Sequence, residues 1–293
     1  MSRRLVILNS AAGRGRARRE WPRMADALRA AGVVFDLAET RAPGEGVALA
    51  ERAARDYDVV IAAGGDGTVH EVANGLLRAG AGAAFGVLPL GSGDDFVKML
   101  PSRDAIERVA HGTPRAFDAG RIAAGATRFF ANGMDIGFGA HASRNVRRVP
   151  AFLTGLGAYL GALALTLVRY PELEVRLQLD GGEPFAQTTA MTAVMNGRAF
   201  GGSFHVCPDA RIDDGELDLL IAAGVGRFAI LGLVPRIMRG THGSDPRLKL
   251  ARARRVLIES DAPLLVEADG EIAFEDARRL EIEILPGALR VLA

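Results

Sequence analysis

The 293-residue sequence predicts an α/β protein in two parts: an α/β half over residues 1–118 and a β-rich, antiparallel sandwich-like half over residues 119–293. Two observations carry this. Short apolar runs alternate with helix-patterned segments as far as about residue 118, which is the pattern of a parallel or mixed sheet covered on both faces. Beyond Ala119 the period falls to two, as in Val175-Arg176-Leu177-Gln178-Leu179 and Leu280-Glu281-Ile282-Glu283-Ile284, which marks half-buried strands.

In the first part Arg4–Leu8 reads as a strand, Arg16–Ala31 as a helix and Val33–Leu37 as a strand. Gly46–Arg55 (helix), Val59–Ala63 (buried strand), Val69–Ala79 (helix) and Phe85–Leu88 (strand) follow. In the second part Asp180-Gly181-Gly182 is a turn, Val256–Ile258 and Leu264–Val266 are two short strands, and Arg227–Arg239 is a helix. The last strand is expected to pack back on the first part. Ala151 to Val168 carries no charge and lies between Arg147-Arg148 and Arg169, so by length it reaches the threshold of a membrane span. Thr154, Tyr159, Thr166 and three glycines (Gly155, Gly157, Gly161) dilute it. Phe152, Leu156, Tyr159, Leu160, Leu163 and Leu167 recur at helical spacing. A buried or partly buried helix ranks first for this stretch and a membrane-touching helix second.

Bulk properties narrow the function. A net charge of +1 argues against a dedicated nucleic-acid binder, which would carry a basic face. A single cysteine, Cys207, permits no internal disulfide, and the opening apolar run Leu5–Leu8 is too short for a secretory signal. The expected compartment is the cytoplasm; peripheral membrane association through the 151–168 helix is the second-ranked alternative. The five histidines (His70, His111, His141, His205, His242) have no metal-ligand spacing. The chain also lacks a Gly-x-Ser-x-Gly elbow, a Walker Gly-Lys-Ser/Thr and a Cys-x-x-Cys.

Three glycine-rich loops follow strands of the first part: Asn9-Ser10-Ala11-Ala12-Gly13, Gly64-Gly65-Asp66-Gly67-Thr68, and Pro89 to Phe96. Parallel strands would open all three on one edge, where ligands of such sheets bind. Glycines let backbone N–H groups close on phosphate oxygens, and a following helix N-terminus favours negative charge. Asp66 is placed to hold Mg²⁺ against a nucleotide, directly or through water, and Thr68 to donate a hydrogen bond or cap the next helix. Ser92 is a candidate phosphate contact, and Asp94 and Asp95 are candidates to cap the following helix or bind a metal. Arg14, Arg16, Arg18 and Arg19 could meet phosphates, though a solvated helix face explains most of them. Late in the chain, Glu267-Ala268-Asp269-Gly270-Glu271 is an ordinary hairpin turn that also offers carboxylates able to take a hydroxyl proton.

These residues together resemble the diacylglycerol kinase catalytic-domain superfamily, which includes sphingosine and ceramide kinases, in its soluble bacterial branch. Gly64–Thr68 matches the family's nucleotide loop, and Leu88–Phe96 is similar to its Pro-Leu-Gly-Thr-Gly-Asn-Asp-Phe loop. Asn132-Gly133, Gly137-Phe138-Gly139, Asn196–Phe204 and Pro208-Asp209-Ala210 leading to Asp214-Gly215-Glu216-Leu217-Asp218 look like later landmarks. The resemblance implies a phosphofructokinase or NAD kinase-like α/β domain followed by a β-rich domain. The activity implied is transfer of the γ-phosphoryl of ATP to a lipid hydroxyl, with Mg²⁺. It implies nucleotide contacts at Asn9, Ser10, Ala11, Ala12, Gly13, Thr40, Gly64, Gly65, Asp66, Gly67, Thr68, Val69, His70, Glu71 and Ser92. A general base is implied in the late turn, Glu271 ahead of Asp269. A structural Mg²⁺ is implied at Asp214 with the carbonyls of Arg211 and Glu216. The partners implied are ATP and a lipid at a membrane surface, and no nucleic acid; the lipid's identity, ATP against GTP, and a homodimer stay open. The chain departs from the pattern at Asp94 (usually Asn), Ser92 (Thr), His70 (Asn) and Ser10 (Pro). Asp94 adds negative charge near the phosphates. A soluble NAD kinase-like enzyme and a nucleotide-binding regulator without turnover are the alternatives.

Overall fold

The computed structural model describes all residues except 1, 81, 92, 103, 147, 151, 152, 154, 169–171, 202 and 203. Ser92, Arg147, Phe152, Thr154 and Arg169, singled out above, therefore lie outside the described residues. The chain divides into two compact units, Met1–Ala119 with Pro286–Ala293, and Gly120–Leu285.

The first unit runs β1 (Arg4–Leu8), α1 (Ala12–Ala30), β2 (Asp36–Glu39), α2 (Glu45–Asp56), β3 (Val59–Gly64), α3 (Asp66–Ala79), β4 (Ala84–Pro89), α4 (Asp95–Lys98) and α5 (Ala105–His111). Its four strands pair in parallel in the order β4-β3-β1-β2, so their C-terminal ends share one edge. Every residue of β3 is buried, as a central parallel strand covered on both faces requires. Val6, Leu8, Ile61, Ala63 and Leu88 build the core with Ala17 and Leu28 of α1 and with Leu292 from the end of the chain. Val291 pairs with Phe85 in parallel, which brings the chain end back onto this sheet. The sequence placed the first helix at Arg16. Its helical run is assigned from Ala12, but Gly13, Arg14 and Gly15 all have left-handed backbone, so continuous helix does begin at Arg16. At Gly75 α2 and α3 touch: a Cβ there would lie 2.4 Å from the Val47 carbonyl oxygen.

The second unit contains β5 (Pro114–Ala123, begun in the first unit), β6 (Thr127–Phe130), β7 (Gly133–Gly137), α6 (Phe138–Val146), α7 (Gly155–Val168), β8 (Leu173–Leu179), β9 (Phe185–Met195) and β10 (Leu217–Ala223). After it come α8 (Arg227–Met238), β11 (Leu248–Ala253), β12 (Arg255–Ala268) and β13 (Glu271–Leu292, whose last residues belong to the first unit). The pairings β11-β10-β9-β7-β12-β13 are joined by β8, which pairs with both β9 and β12. β9 and β12 thus each serve two neighbours, and the ring β9-β7-β12-β8 closes as in a sandwich whose long strands bend across both layers. The sequence split β12 into two short strands at Val256–Ile258 and Leu264–Val266; they are one strand, with register shifts after Glu259 that interrupt its alternation. β8 alternates as its sequence demanded, with Leu173, Val175 and Leu177 buried and Glu174 and Arg176 exposed.

Along β10 the period-two rule divides the side chains. Leu217, Leu219 and Ile221 enter the core among the sheets, while Leu220 and Ala222 face the helices α6, α7 and α8. α7 is partly buried: Ala162 and Leu163 are inside, whereas Leu165 and Val168 are 46% and 65% exposed. Thr166, one of the residues diluting its hydropathy, donates to the Ala162 carbonyl at 2.7 Å and accepts from Asn145 Nδ2 at 3.0 Å. Among the described residues no helix is long and apolar enough to cross a membrane.

Candidate active site

The loops after β1, β3 and β4 meet at the shared strand edge. Asn9 N–H donates to the Ala63 carbonyl at 2.9 Å and Leu90 N–H to the Gly64 carbonyl at 2.8 Å, which continues the sheet one residue past its strands. Thr40 joins them by donating from its amide to the Leu8 carbonyl at 2.9 Å. The loops approach so closely that only glycine fits. A Cβ on Gly91 would stand 2.4 Å from Gly65 Cα, and one on Gly93 would stand 2.4 Å from an Asp66 carboxylate oxygen. In the first loop Asn9 Oδ1 accepts the Ala11 amide at 3.1 Å. Ser10 is buried and its carbonyl accepts from Arg18 N–H at 3.2 Å. Ala12 N–H donates to the Asn9 carbonyl, and Gly13 sits with a positive φ against the Leu90 carbonyl. Arg16 reaches across with Nη1 to the Gly91 carbonyl at 2.9 Å.

Asp66 has a defined task in this arrangement. Its Oδ2 accepts from Asp94 N–H at 2.9 Å and its Oδ1 from Asp95 N–H at 2.8 Å. The carboxylate therefore caps α4 from another loop and ties Gly64–Thr68 to the 89–96 segment. This corrects two expectations: neither Asp94 nor Thr68 caps a helix with its side chain, and Gly65 holds the capping position of α3. The Thr68 hydroxyl is buried against Gly64 without a hydrogen-bond partner. Desolvation pushes Asp66 up to about 6, helped by the charges of Asp95 and Asp94 and opposed by the two amides. Asp94 is raised as well, mainly by burial, with Arg16 pulling the other way.

The remaining expected contacts on α3 divide by direction. Gly67 lies in the first turn and Val69 is buried in the core, so Val69 could offer only backbone. His70 is half-buried beside Asn74, whose Nδ2 donates to the His70 carbonyl at 3.0 Å. Glu71 accepts the amides of Gly44 at 2.7 Å and Gly46 at 2.9 Å, and so anchors the start of α2. Its role as a brace is invisible in sequence, because the partners are backbone amides 25 and 27 residues away.

In the second unit Asp269 and Gly270 form the two-residue turn joining β12 to β13, both with positive φ (50° and 92°), as Asp-Gly hairpins require. Asp269 Oδ2 accepts from Ala131 N–H at 2.9 Å, and its Oδ1 accepts from Asn132 and Gly133 at 2.9 and 3.1 Å. Glu271, on the far side of the turn, is exposed. Two further acids stand behind them: Glu267, named with the turn, and Asp135, which sequence reasoning passed over. Glu267 and Asp135 are direct cross-strand partners, both buried. Burial pushes Asp135 up to about 7, and burial with the neighbouring Asp135 charge raises Glu267 well above its usual range. Asp135 Oδ1 accepts the Ala140 amide at 2.5 Å, and any side chain at position 139 would collide with its other oxygen. The signal was present as a lone acid in the apolar run Met134-Asp135-Ile136.

Of the metal expectations, only one fits the residues. Among the described residues no group of three or more His, Cys, Asp or Glu side chains is placed to hold a metal by itself. At the first unit's loops that is compatible with Mg²⁺, which binds through substrate phosphates with one or two carboxylates; Asp66 lies close enough to Asp94 and Asp95 for their charges to raise it. At Asp214 the carboxylate is already engaged: Oδ1 accepts Glu216 N–H at 3.2 Å and Oδ2 is ion-paired with Arg252. The residues there, Arg211 and Glu216 included, do not fit a bound cation.

A parallel α/β unit with three converging glycine-rich loops, followed by a β sandwich, is the phosphofructokinase and NAD kinase class of fold. Residues 3–122 match the diacylglycerol kinase catalytic domain, and residues 134–293 match the YegS C-terminal NAD kinase beta sandwich-like domain. The chain is 32% identical over 251 residues to a diacylglycerol kinase of Mycobacterium tuberculosis, covering 83% of this chain and 79% of that one. It is 28% identical over 280 residues to a diacylglycerol kinase of Bacillus subtilis, covering 92% and 90%. A crystal structure of a diacylglycerol kinase from Bacillus anthracis has the same fold, with a TM-score of 0.73 at 20% identity over 99% of this chain and 96% of that one. The chain belongs to the diacylglycerol kinase catalytic-domain family, and its activity class is that of an ATP-dependent lipid kinase.

Proposed function

We propose that this kinase phosphorylates the free hydroxyl of a diacylglycerol-class lipid and takes the lipid's acyl part into an apolar cavity of its second unit. One observation carries the reading. A narrow apolar cavity, partly open to solvent, lies on the helix-covered face of the sheet. It is lined by Phe138, Leu163, Phe204, Leu220, Ala222, Leu233 and other apolar residues, and Tyr159 alone brings a hydroxyl. Ligand pockets ordinarily carry several placed polar groups among their apolar walls. A wall this uniformly apolar suits an acyl chain and gives nothing to a nicotinamide or a sugar.

The donor nucleotide is held by the loops of Asn9 to Gly13, Thr40, and Gly64 to Glu71, chiefly through backbone N–H groups. Asp66 fixes the spacing of two of these loops, and the Thr68 hydroxyl gains a partner in a phosphate oxygen. Mg²⁺, when bound with the nucleotide, neutralises the phosphates; Asp66 and Asp95 are the side chains that would hold it. Glu271 takes the proton of the lipid hydroxyl. The hydroxyl oxygen then forms its bond to the γ-phosphorus as the bond to the leaving nucleoside diphosphate breaks and that electron pair departs with it. Asp269 already binds three amides and is the positioning residue for this turn.

The lipid is reached at an anionic bilayer surface. Phe228 and Leu231 of α8 are 89% and 54% exposed, and Leu165 and Val168 of α7 stand out as well. Arg227 links the two helices by donating to the Val168 carbonyl at 3.3 Å. Exposed apolar side chains beside arginine are the composition of an interfacial helix. Replacing Ala222 by Phe would fill the cavity. The expected result is a raised KM for long-chain diacylglycerol in mixed micelles, with ATP binding and Tm unchanged. An unaltered KM would dismiss the cavity as the acyl site. Phe228→Asp should lower turnover on anionic vesicles several-fold and leave turnover in detergent micelles alone; equal losses in both would remove the surface role.

A further inference from the structure

The turn before β10 gathers Asp214, Glu216 and Asp218, and the resemblance makes it a Mg²⁺ site. We infer that in this chain the Arg252 guanidinium replaces that cation, so the second unit is held at this point by an internal ion cluster and needs no metal. The inference is independent of which lipid is the acceptor.

The register of the sheet puts Arg252 there. β10 and β11 pair antiparallel with Asp218 opposite Arg252, so the side chain starts beside the acidic turn. Opposite charges directly across an antiparallel pair are favourable. Each guanidinium nitrogen then faces a different carboxylate: Nη2 pairs with Asp214, Nη1 with Glu216 at 2.8 Å, and Nε with Asp218 at 3.6 Å. A planar fork of fixed donors suits three carboxylates spread around one point, which a lysine ammonium would serve less well. Asp214 has no oxygen left without a donor, since its Oδ1 accepts Glu216 N–H across Gly215, whose φ of 73° makes the turn. Arg211 has its own partner, Asp213, at 3.4 Å.

A divalent cation would have to displace this arrangement. Mg²⁺ demands six oxygens in near-octahedral geometry and sheds water reluctantly. Here the carboxylate expected to bind it already touches a permanent positive charge. Asp218 Oδ2 is buried without a hydrogen-bond partner, and a single oxygen does not make a magnesium site. The consequence is a division of metal dependence. Mg²⁺ serves the nucleotide in the first unit, and the stability of the second unit is indifferent to it.

The test uses full-length protein without nucleotide. Wild type, purified in Mg²⁺ buffer and desalted, is expected to carry no stoichiometric Mg²⁺ by elemental analysis and to melt at the same Tm in EDTA as in millimolar Mg²⁺. Arg252→Gln, which leaves three carboxylates facing one another, is expected to have a lower Tm in EDTA and to recover with rising Mg²⁺, as ligand linkage requires. Adding Asp214→Asn to that variant should abolish the recovery. Stoichiometric Mg²⁺ in wild type, or a wild-type Tm that falls on chelation, overturns the inference; this arm decides even if Arg252→Gln does not fold. An Arg252→Gln protein as stable as wild type in EDTA and unresponsive to Mg²⁺ overturns it as well.

Discussion

Asp66 and Asp269 stand in similar settings, one in each unit. Each lies in a glycine turn directly after a strand. Each binds backbone amides of a second segment with both carboxylate oxygens, two for Asp66 and three for Asp269. They differ in the element that comes next along the chain. After Asp66 comes a helix, and burial, helped by the charges of two further acids across the loop, pushes the group up to about 6. After Asp269 comes a strand that presents exposed Glu271 two residues on. The lesson is that the acid a motif displays most prominently can be the brace of a site. On the proposed reading, phosphate binding then rests chiefly on backbone amides in one unit and proton transfer on the next carboxylate in the other.

That contrast can be broken in four ways. The largest effect is expected from Glu271→Gln, which should lower kcat by about 10²–10⁴-fold, the usual weight of a general base, with Tm unchanged. A loss matched by a similar drop in Tm would make Glu271 structural. Asp269→Ala leaves three N–H groups without their acceptor. At about 1–3 kcal/mol for each one kept from water, the denaturation midpoint should fall clearly, with kcat falling alongside. Asp66→Ala should weaken ATP binding and lower stability by a smaller amount, since it strands two amides. Asp66→Asn, which keeps acceptor capacity in one oxygen, should retain part of that stability.

The smallest effect is the pH dependence. Asp66 titrates higher in the folded chain, at about 6, than its ordinary 3.8. The folded state therefore binds the proton more tightly than the unfolded one. The associated stability is fully present below about pH 4 and is lost as pH rises through about 6. Asp66→Asn should remove that part of the slope in denaturation measured across this window, and an unchanged slope would assign it to other acids. Asp218, also raised to about 6 by burial, contributes in the same direction and serves as the control variant.

Much of the fold was legible because it rested on local signals. The run Val59–Ala63 could be nothing but a buried strand, and β8 and residues 280–284 announced their alternation. β12 escaped because its bulges break the period where the strand passes from β8 to β7. α6 escaped because Phe138–Val146 is short and its buried residues are mostly glycine and alanine. The site's loops were legible for a similar reason: their glycines cluster directly after strands, and Gly91 and Gly93 do mark close approaches. What the glycines approach, and which acid each loop borrows, depended on contacts between distant residues. Asp66 capping α4, Glu71 holding Gly44 and Gly46, and Arg252 opposite Asp218 are all of this kind.

The functional reading stands or falls on whether a nucleotide held by the Gly64–Thr68 loops gives its phosphoryl group to a lipid and not to a soluble acceptor. Radiolabel transfer from γ-labelled ATP with Mg²⁺ measures this, offering diacylglycerol in mixed micelles and NAD in parallel, with Asp66→Ala beside wild type. Labelled lipid, unlabelled NAD, and loss of the lipid signal in the variant are expected. Labelled NAD with unlabelled lipid, or undiminished lipid labelling by Asp66→Ala, would contradict it.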